Sequence, residues 1–146
     1  MNTEIRDSFP SVELYCEQGR RLASAGDLAR ATRVFQVACI RFPLEPAPWI
    51  GLGLCLKKLG KVGPAELALS TAEALGSGNA GVLVHRAECQ LRLGDPGAAR
   101  RDLLRASSEA LRQNDRRTAD RARRGLEWLD DRAAPGDVPG AEEVSP

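Results

Sequence analysis

The chain has 146 residues, 42% of them apolar and 28% charged, the composition of a soluble globular domain. Its 21 Lys and Arg against 20 Asp and Glu leave a net charge of +1, which excludes nucleic-acid binding driven by overall basic charge. Aromatic residues make up only 4%, so the core must be built of small and aliphatic side chains, which suits close-packed helices better than sheets.

Residues 1–11 read as a flexible N-terminus. They include Glu4 and Asp7 and lack the apolar stretch of a secretory signal. Nowhere does a run approach the roughly 18 apolar residues of a membrane span.

From residue 12 the sequence repeats. Gly26-Asp27, Gly60-Lys61 and Gly94-Asp95 stand 34 residues apart. Gly19, Gly53 and Ala87 keep the same period, as do Ala31, Ala65 and Ala99, Phe35, Leu69 and Leu103, and Ala38, Ala72 and Ala106. A period of 34 with small residues in register is that of the tetratricopeptide helix–turn–helix repeat. The spacing predicts repeats at 12–45, 46–79 and 80–113. Their helices fall at 12–25 and 28–41, 46–59 and 62–75, and 80–93 and 96–111. The small columns allow the two helices of each hairpin to approach closely. Gly26, Gly60 and Gly94 supply C-caps, and Asp27 and Asp95 can cap the helices that follow.

A further helix is expected at 115–132, within a C-terminal unit of 114–133. Ala119, Ala122, Leu126, Leu129 and Ala133 form one apolar stripe there, which would cover the open face of the last repeat. The basic cluster Arg116–Arg124 reads as its solvated face, with Asp120 and Arg124 at pairing distance on the helix. Residues 134–146, rich in Pro, Gly and acid, read as a disordered tail. The fold expected is thus all-α, a tetratricopeptide-repeat solenoid of three helix–turn–helix repeats plus a C-terminal covering helix.

Little in the chain suggests catalysis. The single histidine, His85, has no second histidine to complete a metal face. Cys16, Cys39, Cys55 and Cys89 contain no C-x-x-C and read as packed, reduced thiols. His85 and Cys89 lie at i and i+4 on one helix, but the equivalent Cys55 lacks such a neighbour. Gly51-Leu52-Gly53 sits inside a helical period and is no phosphate loop. No enzyme activity, metal or cofactor is expected.

The candidate functional surface is the concave wall formed by the first helix of each hairpin. Its positions 2, 5, 9 and 12 share one stripe. They are Glu13, Cys16, Arg20 and Ala23, then Ala47, Ile50, Leu54 and Lys57, then Gly81, Val84, Glu88 and Leu91. An apolar centre at Ile50, Leu54, Val84 and Leu91, rimmed by charge, suits an extended peptide or an amphipathic helix. Packing of the same side chains between neighbouring helices is the alternative reading.

Phe35-Gln36 with Cys39, Gly51-Leu52-Gly53-x-Cys55, His85-x-Ala87-Glu88-Cys89 and Gly94 together resemble the class II type III secretion chaperones, the LcrH/SycD type. The resemblance spans about residues 12–113. It implies a cytoplasmic, non-enzymatic chaperone of a Gram-negative bacterium that holds a pore-forming translocator before export, without nucleic acid, membrane insertion or cofactor. It implies partner binding at Cys16, Arg20, Ala23, Ala47, Ile50, Leu54, Lys57, Val84, His85, Glu88 and Leu91. Weak homodimerisation is a further expectation. Another secretion component, such as the needle subunit, is an alternative cargo, and a general protein-interaction scaffold is the alternative class.

Overall fold

The computed structural model describes residues 10–133. The expectations for residues 1–9 and for the tail at 134–146 fall outside the described residues. Among the described residues there are seven helices and no strand. They are α1 (Val12–Ser24), α2 (Leu28–Arg41), α3 (Pro46–Lys58), α4 (Val62–Ala74), α5 (Ala80–Arg92), α6 (Pro96–Arg112) and α7 (Arg116–Arg132).

The turns explain why the period is strict. Gly26, Gly60 and Gly94 adopt φ of 84°, 79° and 80°, in the left-handed region that costs glycine nothing. In the first turn Gly26 N–H donates to the Ala23 carbonyl and Asp27 N–H to the Leu22 carbonyl, closing off α1; the second and third turns repeat the pattern. Asp27 and Asp95 then accept the N–H of Arg30 and Ala98 at 3.1 and 3.0 Å, starting α2 and α6. Lys61 makes no side-chain cap. Asn114, with φ of 59°, turns the chain into α7, and Asp115 caps that helix through Thr118 N–H.

The hairpins close on small residues. A methyl group placed on Gly53 would stand 2.7 Å from the Leu69 side chain and 3.3 Å from the Ala65 carbonyl. One on Gly19 would lie 2.5 Å from the Phe35 ring, and one on Gly51 only 2.2 Å from it. Phe35 is thus held between α1 of its own hairpin and α3 of the next. Real Cβ atoms do not stand that close, so the glycines are what admit the ring.

The curvature follows from which helices touch. The inner helices approach one another in series, α1 to α3, α3 to α5 and α5 to α7, whereas the backbones of α2, α4 and α6 lie farther apart, α4 and α6 being joined by the Arg105–Glu73 ion pair at 2.7 Å. The stack therefore bends with α1, α3 and α5 inside. α7 takes the place of a fourth inner helix. Its Ala122, Leu126 and Leu129 pack with Leu83, Val84, Leu103 and Ala106, covering the last repeat as expected.

One buried feature was not expected. Arg86 on α5 donates from Nε and Nη2 to the two carboxylate oxygens of Asp102 on α6, at 2.6 and 2.7 Å. Asp102 is only 4% exposed. The planar fork fits the carboxylate with two parallel bonds and pins the third hairpin.

Candidate functional site

The inner helices carry a line of depressions rather than one smooth trough. Val12, Glu13, Cys16, Arg20, Glu45 and Ala47 border the first, between the N-terminal ends of α1 and α3. The next, about 210 Å³, is formed by Arg20, Ala23, Ser24, Phe35, Gly51, Leu54, Cys55 and Lys58. A third, about 510 Å³, is bounded by Leu54, Lys57, Lys58, Gly60, His85 and Arg92 between α3 and α5. Beyond it Glu88, Leu91, Arg92 and Trp128 continue the wall on to α7.

Most of the expected wall residues reach this surface, namely Arg20, Ala23, Ala47, Leu54, Lys57, His85, Glu88 and Leu91. Leu54 borders two depressions and is the apolar residue they share. Ile50 is half-buried against the core. Two residues require correction. Val84 is 1% exposed, and Cys16 is 3% exposed. Both sit at the fifth position of an inner helix, where packing takes the side chain beneath the groove. Cys16 edges its depression from below, and Val84 cannot present a surface at all.

The apolar centre is therefore narrower than the sequence implies, and an unexpected ring helps to floor it. Phe35 belongs to the outer helix α2, yet its ring, 2% exposed, underlies the second depression beside Gly51, because Gly51 has no side chain to displace it. This gives Gly51-Leu52-Gly53 a physical meaning: the first glycine makes room for the buried Phe35 ring and the second closes the hairpin.

A polar cluster ties α3, α5 and α7 together. Lys57 pairs with Glu88. Arg121 Nη2 donates to the other Glu88 oxygen at 2.5 Å. Lys57 Nζ stands 3.0 Å from His85 Nδ1, so Nδ1 accepts and the ring proton belongs on Nε2. Burial, together with the charges of Lys57, Arg121 and Lys58, pushes the imidazole down to about 4. His85 is neutral at physiological pH. A neutral ring that must charge in acid destabilises the fold there. With the native value below the unfolded one, stability is present above about pH 6.5 and is lost as pH falls towards 4. The native chain is expected to lose about 2–3 kcal/mol more than His85→Gln between pH 7 and pH 4. Urea titrations of both proteins at the two pH values measure the difference; equal losses would remove His85 as the cause.

The histidine–cysteine pair is not brought together for chemistry. Cys89 is fully buried, and burial pushes its thiol up, away from the thiolate a nucleophile needs. All four cysteines are free and buried. Among the described residues no group of three His, Cys, Asp or Glu side chains comes together as a metal site. No helix among them is long and apolar enough to cross a membrane.

Two wall residues come from α7, outside the 34-residue period. Arg121 leaves the basic cluster and turns into the groove. Trp128, 45% exposed, stands at its far rim with the Arg132 guanidinium 4.0 Å above its ring. The only signal for either was its place on the covering helix. The rest of the basic cluster stays on the outside, and Asp120 pairs with Arg123 rather than with Arg124.

No protein-family model and no curated protein matches the sequence. Solved structures do match. PcrH from Pseudomonas aeruginosa is 28% identical with a TM-score of 0.76, over 82% of this chain and 91% of that one. PcrH in complex with the chaperone binding region of PopD is 28% identical with a TM-score of 0.79, over 83% and 92%. The type III secretion translocator chaperone SycD of Yersinia enterocolitica is 20% identical with a TM-score of 0.83, over 90% and 92%. The chain is similar to class II translocator chaperones of the LcrH/SycD type, and it has their all-helical fold.

Proposed function

We propose that this protein is a cytoplasmic translocator chaperone: it binds an extended segment of a pore-forming translocator in its concave groove and keeps that partner soluble before export. The observation that carries this reading is the likeness to PcrH held with the chaperone binding region of PopD, over most of both chains. The groove supports it physically. Its depressions follow one another along the inner helices, as successive side chains of an extended peptide would need. Leu54 offers an apolar seat, with the buried Phe35 ring beneath it, and charges rim it. The work is holding rather than catalysis, in keeping with a neutral His85 and a buried Cys89.

The test is co-expression with the translocator of the same secretion apparatus. A soluble complex is expected with the native chain. Burying one aliphatic anchor stabilises by about 1.5–3 kcal/mol, so Leu54→Asp should weaken capture at least tenfold while circular dichroism stays unchanged. Arg116→Glu with Arg117→Glu, on exposed positions of α7, should capture normally. Loss of cargo from the arginine variant with retention by Leu54→Asp would move the site to the basic helix.

A further inference from the structure

The depression between α3 and α5 has an unbalanced charge that an apolar anchor does not use. Lys57, Lys58, Arg92 and Arg121 bring four cations to this end of the groove. Glu88 is the one carboxylate paired with any of them, and it is shared between Lys57 and Arg121. Lys58 and Arg92 have no ion-pair partner among the described residues and are exposed on the rim. No carboxylate lines the depression itself, while Leu54 forms its apolar side.

We infer that this depression recognises an acidic side chain of the cargo, seated beside the aliphatic anchor that rests on Leu54. The inference rests on the proposed peptide-binding function and adds the chemistry that selects the segment. Each unpaired cation alone would remain in water at little cost. Placed together around one concave, half-apolar wall they raise the local potential, and an incoming carboxylate lowers it. Neutral His85 suits the site, since it adds no fifth positive charge: its Nδ1 accepts from Lys57, and its Nε2 faces Arg121 Nη1 at 3.5 Å. An entering carboxylate need not break the Glu88 pairs, because Lys58 and Arg92 are the groups left to meet it. Complementary charge of this kind fixes register along a groove more than it adds raw affinity.

The experiment uses the full chain and 15-residue peptides tiling the translocator. Each binding peptide is then remade with every Asp or Glu changed in turn to Gln and to Lys. The expected result is one carboxylate, close to an aliphatic residue, whose change to Gln weakens binding five- to tenfold and whose change to Lys weakens it further. The loss should vanish in a Lys58→Ala, Arg92→Ala double variant. In Lys58→Glu with Arg92→Glu the preference should reverse, so that the Lys peptide binds best. Peptides that bind tightly but are indifferent to every amide change overturn the acidic site and leave the groove function standing. If no tile binds the native chain, the groove function itself falls, and the acidic site with it. A carboxylate preference that appears only after deletion of residues 134–146 would assign the depression to the chain's own Asp137, Glu142 or Glu143, and would overturn its assignment to cargo.

Discussion

Asp102→Ala is expected to destabilise the protein by about 3–5 kcal/mol, because it leaves the Arg86 guanidinium buried without its carboxylate. The two side chains bond in parallel at 2.6 and 2.7 Å, and burial would deny a stranded arginine full hydration. The Ser70 hydroxyl, 3.4 Å from Nη1, is a weak substitute. The paired change Arg86→Leu with Asp102→Ala should recover much of the loss. These are the residues that the preceding repeat places at the equivalent positions, Leu52 and Ala68, both buried. Urea denaturation of the three proteins checks both statements. A double variant no better than Asp102→Ala would show that the pair stabilises by more than cancelling its own burial.

A chain ending at Gln113 is expected to lose solubility as well as stability. It would uncover Leu83, Leu103 and Ala106, on which Ala122, Leu126 and Leu129 are packed. Leu129 alone contributes about 1.5–3 kcal/mol of buried apolar surface. The truncation should also remove Arg121 from Glu88 and Trp128 from the groove rim, so cargo capture should fail even in the soluble fraction. Light scattering and the urea midpoint test the first effect, and pull-down tests the second. An unchanged midpoint would show that α7 does not cover the last repeat.

How much of this was legible depends on the kind of residue. The hairpins were readable because their requirements are local and recur: glycine at a left-handed φ, aspartate at a cap, and a small residue where helices touch. The same columns could not tell a lining side chain from a buried one. The fifth position of an inner helix faces inwards by periodicity, but the bend of the stack decides whether a neighbour covers it. That is how Val84 sank into the core while Ile50, at the same position one repeat earlier, stayed half-buried. Arg121 and Trp128 lie outside the period, so no column pointed to them. The Arg86–Asp102 pair did leave a trace. Two charged residues occupy columns that are apolar in the repeat before, and a pair of such breaks on facing helices is the mark of a buried ion pair.

The position of α7 as a fourth inner helix bears on how the protein is made. Synthesis runs from the N-terminus, and the first hairpins can fold while the remainder is still being added. A nascent chain that has reached α4 already displays Arg20, Ala23 and Leu54. It lacks His85, Glu88, Arg121 and Trp128, which form the far side. The surface is completed only when the final helix folds back onto α5 and α6. Translation thus acts as a timer: the groove that the three hairpins begin is finished only by α7, the helix made after all of them.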